Sequence, residues 1–234
     1  MNLQFCLDDC NRMEVVARQL ETDYQNIYRQ CLESVAYEKY GIGGALLHRG
    51  FFCPSLIYDI VNGNVRRGHI SDQMPILKKC DYRFGFNRDG LPIMAHHAGT
   101  CETILYGEQE TLGVEYMDGY GLVRLSECKY DLEGKVSSYS LYGFDAVRKR
   151  IFEVQTERYT YCDENLTVDF LRFTRYIDKL STFECVQYRF LVKDTYLASY
   201  QVNSDDKRQP SNSIIYPVRV KRNIYDSKKF YGKT

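Results

Sequence analysis

Of the four histidines in the chain only His96 and His97 stand close together, and with Cys101 they spell His-His-x-x-x-Cys. Imidazole and thiolate are zinc ligands, but neighbouring residues of a strand point to opposite faces, so the two rings are not expected to meet on one ion. No metal site and no cofactor is expected. A Cys or Ser nucleophile would need a histidine base brought from elsewhere in the fold, and no Gly-x-Ser-x-Gly elbow is present. Glu108 and Glu110 could supply the paired carboxylates of a hydrolase, although surface carboxylates commonly do no more than solvate a face. Gly41-Ile42-Gly43-Gly44-Ala45-Leu46 has Leu46 where a dinucleotide fingerprint needs glycine, and it lacks the Gly-Lys-Ser/Thr of a triphosphate loop. It reads as a glycine turn ending a helix.

The charge pattern says more than these motifs. The 31 basic and 31 acidic residues cancel, so no global field steers the chain toward nucleic acid, an anionic membrane or an acidic substrate. Arg66 and Arg67 lack the basic neighbours and stacking aromatics of a nucleic-acid surface. From Gly99 to Tyr120, however, Glu102, Glu108, Glu110, Glu115 and Asp118 occur without one Lys or Arg, interleaved with Tyr106, Tyr116 and Tyr120. These eight residues are the candidate partner-binding site. The carboxylates would guide a basic partner and the tyrosines would supply contact area.

The elements that must position this stretch follow from periodicity. Met13, Val16, Leu20, Tyr24, Ile27, Cys31 and Val35 recur at steps of three and four, which predicts a helix over Asn11 to Tyr40, with Asp8 and Asp9 at its start and Gly41 at its end. A short helix is expected over Ser55 to Val61 behind Pro54, and a loop over Asn62 to Pro75. From Cys80 to Asn203 alternating runs are broken at Asn87-Arg88-Asp89-Gly90, Asp118-Gly119, Asp131-Leu132-Glu133-Gly134, Asp163-Glu164-Asn165 and Lys193-Asp194. Less defined breaks lie near Gly107 to Gly113, Phe144 to Lys149 and Asp178 to Ser181. Together they divide the stretch into about nine strands, with one more over Ile214 to Val220. Near Phe170-Leu171 the apolar alternation changes phase, which predicts a bulge.

The fold class expected is therefore α+β, an N-terminal helical segment packed on a large antiparallel β-meander of about nine to ten strands. Residues 1–75 would form the helical head and connecting loop, 76–222 the sheet in one globular unit with the head, and 223–234 a basic tail. Nine scattered cysteines without a Cys-x-x-Cys pair suit reduced, buried thiols. No run approaches the roughly 20 apolar residues of a membrane span, and Met1 to Cys10 lacks a secretory pattern. A cytoplasmic protein is expected. The 21 tyrosines, with no Trp, suit both half-buried strands and interface anchors.

Lys129-Tyr130-Asp131-Leu132-Glu133-Gly134-Lys135-Val136-Ser137-Ser138-Tyr139 resembles a Tyr-Asp repeat unit of Rhs-type bacterial proteins, with echoes at Tyr82 to Leu91 and Tyr159 to Leu166. The chain as a whole is similar to the small cytosolic immunity proteins of polymorphic, contact-dependent toxin systems. That resemblance implies a non-enzymatic antitoxin that binds a cognate toxin domain, with no nucleic-acid or membrane partner. The competing readings are a hydrolase with a cleft between helical head and sheet, and a β protein carrying a lipid or small molecule.

Overall fold

The computed structural model describes residues 3–44, 48–55, 57, 67–74, 81–145, 147, 150–162, 165–176, 179–192, 196–202 and 214–217. Among the described residues one long helix, α1 (Leu3–Ser34), precedes thirteen strands: β1 (Tyr37–Gly44), β2 (Arg67–Ser71), β3 (Tyr82–Phe86), β4 (Pro92–His97), β5 (Thr100–Tyr106), β6 (Glu110–Met117), β7 (Gly121–Tyr130), β8 (Val136–Phe144), β9 (Ile151–Cys162), β10 (Asn165–Tyr176), β11 (Lys179–Val192), β12 (Tyr196–Val202) and β13 (Ile214–Pro217). They form a single sheet in the order β13 to β3 in strict succession, then β1, then β2. Every pairing is antiparallel. The expected architecture, a helix on a large antiparallel meander, is the one observed.

The strand count exceeds the nine to ten expected for two physical reasons. Between Cys80 and Asn203 one hairpin was hidden, because β4 turns into β5 through Ala98 and Gly99, and Ala98 holds a left-handed φ of 40° that alanine seldom adopts. Ahead of it, Tyr37-Glu38-Lys39-Tyr40 alternates as a strand, so α1 stops at Ser34 and the Ala36 N–H already donates to Phe86 O at 2.7 Å. Gly41 therefore ends no helix. It lies within β1 under the Phe84 ring, and a Cβ there would sit 3.0 Å from that ring. The stretch read as a loop over Asn62 to Pro75 contains β2 at the sheet's end. Of the helix expected over Ser55 to Val61 only Ser55 and Ile57 are described residues, and the basic tail lies outside them.

Helix α1 buries Cys10, Met13, Ala17 and Tyr24 against Val114, Leu125, Tyr142, Leu171 and Phe173, so its apolar stripe crosses the middle strands. Asp8 and Asp9 fall inside the helix and not at its start. Asp9 accepts from Arg12 at 2.7 Å and from the Tyr142 hydroxyl.

The opposite face of the sheet is covered by a strap, His48 to Ser55 with Ile57. Phe52 packs edge-on to Phe84 at 4.8 Å at one end, and Ile57 enters a cluster with Tyr139, Tyr159, Val168 and Phe170 at the other. Burial on two faces explains the phase change at Phe170-Leu171. Val168 and Phe170 face the strap and Leu171 and Phe173 face α1, with unbroken register to β9. The irregularity in β10 comes later, between Thr174 and Arg175 against β11.

Because Met13 is fully buried and Val15 is 47% exposed, Met13→Ala should cost about 2–5 kcal/mol and Val15→Ala no more than about 0.5 kcal/mol in chemical denaturation. Equal costs would place the helix in a different rotation.

Candidate binding groove and the buried cluster behind it

Two clefts flank the β4–β5 hairpin, one on each face of the sheet. On the α1 side lies an open groove of about 560 Å³. Its wall begins with Tyr24 of α1 stacked on Tyr116 of β6 at 3.9 Å and 7°, and continues with Tyr28, whose ring is 6.0 Å from Tyr24. His96 meets the Tyr28 ring edge-on at 6.4 Å. His96 Nε2 lies 3.7 Å from Cys101 Sγ across the β4–β5 pair. Burial pushes the Cys101 thiol up to about 12, against a hydrogen bond from Tyr24, and burial with Arg83 nearby holds His96 below its ordinary value. Both shifts favour the neutral form, thiol and imidazole alike. The His97 ring stacks on Tyr82 at 4.8 Å on the strap side, as strand alternation requires, although the residue contributes to the lining of both clefts. Among the described residues no group of three or more His, Cys, Asp and Glu could hold a metal ion.

The charged rim of the groove is acidic. Asp81 accepts from the Gly43 N–H at 2.6 Å, Arg83 lies 3.6 Å from Glu38, and the exposed Asp118 carboxylate has no hydrogen-bond partner among the described residues. Tyr120, in the same turn, is 59% exposed.

On the strap side the cleft is smaller, about 240 Å³, and runs inward to a buried charge cluster. Arg49 adopts a left-handed φ of 55° and is 1% exposed. Its Nε donates to Glu102 Oε1 at 2.6 Å and its Nη2 to Ser126 Oγ at 2.6 Å. The guanidinium fits because β6 carries glycine beneath it: a Cβ on Gly113 would overlap Arg49, Glu102 and Ser126. Glu115, facing Glu102 across the β5–β6 pair, takes Arg124 Nη1 at 3.1 Å. His48 Nδ1 stands 3.3 Å from Glu102 Oε2, a contact that would be an ion pair only with a protonated ring. Burial, then Arg49 and Arg124, hold that ring neutral.

Further along the strap a second carboxylate repeats the pattern. Glu157 of β9, fully buried, accepts from Ser55 Oγ at 2.5 Å, from Gln155 Nε2 at 2.7 Å, from the Tyr159 hydroxyl and from the backbone of Ile57.

The eight candidate residues of the Gly99–Tyr120 hairpin thus part company. Glu102 and Glu115 are buried beneath the strap and paired with arginines. Tyr116 packs on α1, and the half-buried Tyr106 donates to Pro92 O at 2.7 Å. Glu108 and Glu110 are exposed at one end of the hairpin, Asp118 and Tyr120 at the other. Seven residues of strand at about 3.3 Å each separate those ends by roughly 23 Å. The sequence offered no local signal for Arg49 or Ser126, or for the bond from Ser55 to Glu157, because these partners are remote in the chain; inward-facing polar residues at alternate positions 155 and 157 of β9 were the nearest hint.

No protein-family model matches the chain, and no curated protein matches it. A crystal structure of a protein of unknown function from Bacteroides fragilis NCTC 9343 is distantly similar, at 12% identity and a TM-score of 0.34, covering 52% of this chain and 94% of that one.

Burial pushes the Glu102 carboxyl up to about 7, with Arg49 pulling it down and Glu115 adding to the rise. A carboxyl whose pKa is higher in the folded than in the unfolded chain binds its proton first when folded. Its stabilisation is full below the unfolded value of about 4.3 and is lost as pH rises through about 7. His48 opposes this, since a ring held neutral costs stability as pH falls below about 6.5. Because His48 touches the carboxyl, Glu102→Gln is compared in a His48→Phe background, where the histidine no longer titrates. In that background the stability of the protein carrying Glu102 relative to Glu102→Gln should rise between pH 8 and pH 5; an unchanged difference would mean that Arg49 keeps the carboxylate ionised over that range.

Proposed function

We propose that the protein is a binding protein that acts by direct contact, an immunity protein that neutralises a bacterial toxin domain in the cytoplasm, and that the groove between α1 and the β4–β5 hairpin is its contact surface. The observation that carries this reading is the conjunction of tyrosine rings with an exposed Asp118 carboxylate at one rim that has no hydrogen-bond partner among the described residues. Tyrosines provide rigid, amphipathic contact area at small entropic cost, and a carboxylate beside them favours a lysine or arginine arriving from a partner. Inhibition of this kind requires no chemistry from the inhibitor. An interface burying about 1,600 Å² in total, with a few aromatic anchors, suffices. Such a patch would be centred on the Asp118–Tyr120 end and would leave Glu108 and Glu110, at the far end of the hairpin, on its rim or beyond it.

Among the described residues no helix is long and apolar enough to cross a membrane. That fits a partner met in solution. The similarity to immunity proteins noted in the sequence supplies the partner's class, and the acidic rim supplies its expected charge.

The test is binding, followed by calorimetry, of any toxin domain encoded beside this gene. Asp118→Lys combined with Tyr120→Ser should weaken binding by about tenfold or more, about 1.4 kcal/mol per decade, and change its salt dependence. Glu108→Lys with Glu110→Lys should change affinity by less than about threefold. If the first pair leaves affinity untouched, the groove is not the interface. If no neighbouring toxin domain binds, the immunity reading falls.

A further inference from the structure

The groove between α1 and the β4–β5 hairpin is selective in its charges and its rings, and both bear on what kind of side chain can enter it. Two carboxylates line it, Asp81 and Asp118, against one cation, Arg83, which has Glu38 beside it at 3.6 Å. Asp81 is engaged by the Gly43 N–H. The exposed Asp118 carboxylate has no hydrogen-bond partner among the described residues and lies within electrostatic reach of both the Tyr28 hydroxyl and the His96 ring. It stands at the aromatic wall and not apart from it. In that wall Tyr24 is buried, while Tyr28 and Tyr116 on either side of it are half-buried and line the opening.

We propose that the groove receives an arginine side chain of the partner, its guanidinium lying against the Tyr28 ring with one edge turned to Asp118; this rests on the reading of the groove as the contact surface. The sign of the charge follows from the lining. A cation complements Asp118, whereas an anion would meet two carboxylates. Guanidinium in preference to ammonium follows from the wall. A guanidinium is flat and weakly hydrated, lies on an aromatic face, and offers paired N–H donors that match a carboxylate, whereas an ammonium is a compact, strongly hydrated point charge. Burial, with Arg83 nearby, favours the uncharged form of His96, so an arriving cation meets no imidazolium there. Met74, 61% exposed in the same lining, offers a soft apolar contact for the methylene stem. The volume of about 560 Å³ lies within the roughly 300–1,000 Å³ typical of ligand sites, which leaves room for the side chain and the backbone that carries it.

The experiment titrates the full-length protein, carrying ¹⁵N-labelled histidine, with Nα-acetyl-arginine methylamide, and repeats the titration with the lysine and citrulline analogues. Citrulline keeps the shape of arginine without its charge. The expected result is a saturable shift of the His96 ring nitrogens by the arginine probe, with a dissociation constant on the order of millimolar, while the buried His48 stays unmoved. The lysine probe should bind about fivefold more weakly, and the citrulline probe should give no saturable shift. Asp118→Asn, a substitution at an exposed turn, should weaken the arginine probe about tenfold. The proposal is overturned if the arginine probe does not shift His96 saturably, if the lysine or citrulline probe binds as tightly, or if Asp118→Asn leaves the affinity unchanged. These outcomes are separable from those of the toxin experiment. A toxin domain that binds through Asp118 and Tyr120 while the arginine probe fails keeps the contact surface and overturns its arginine occupant; an arginine probe that binds where no toxin domain does upholds the arginine site while the immunity reading falls.

Discussion

Two buried carboxylates hold this molecule in its form. Glu102 of β5 and Glu157 of β9 stand on the same face of the sheet, and each grips one end of the strap, the first through Arg49 and the second through Ser55 and the backbone at Ile57. A buried charge or polar group is costly unless its partners are in place, so the strap must lie in one position to satisfy both. Breaking either grip leaves a carboxylate or a guanidinium stranded, which costs far more than the net worth of the pair. The cluster therefore acts less as a source of stability than as a device that admits one arrangement of the strap over the strands.

With the strap on one face and α1 on the other, the middle strands carry a core on each face. Tyr139, Leu141, Tyr142 and Phe144 of β8 are all buried, and they alternate between the two cores. Gly113 shows how closely the layers are fitted, because the guanidinium of Arg49 occupies the volume that any side chain at that position would need. The clefts persist where this double cover thins, beside the β4–β5 hairpin. Function, on either of the readings above, is thereby drawn to one end of the sheet.

Most of the scaffold could be read from the chain alone, since its signals are local. Alternation marked the strands, and the side chains of Asn87 and Asp131 fold back on their own turns, accepting from Asp89, Leu91, Glu133 and Lys135. The helix stripe was equally legible, although its limits were not. What escaped notice was carried by distance in sequence. Counting charges from Gly99 to Tyr120 found acids without cations and read them as a face for a partner. The cations for Glu102 and Glu115 were Arg49 and Arg124, one far upstream and the other just beyond the window. Ala98 hid a hairpin because its residue type carries no turn signal, and the extended stretches flanking the strap were masked by glycines that looked like helix and loop punctuation.

The path of the chain between β1 and β2 has a bearing on how the molecule assembles. From β3 onward each strand pairs with its neighbour in sequence, so hairpin can add to hairpin by short-range closure. The strap is different: Ser55 reaches Glu157 across 102 positions in the chain, and Arg49 reaches Ser126 across 77. Contacts so remote repay their loop-closure entropy only after the strands that receive them exist. The strap can therefore close its bonds to Glu102, Ser126 and Glu157 only once the meander that carries them has formed.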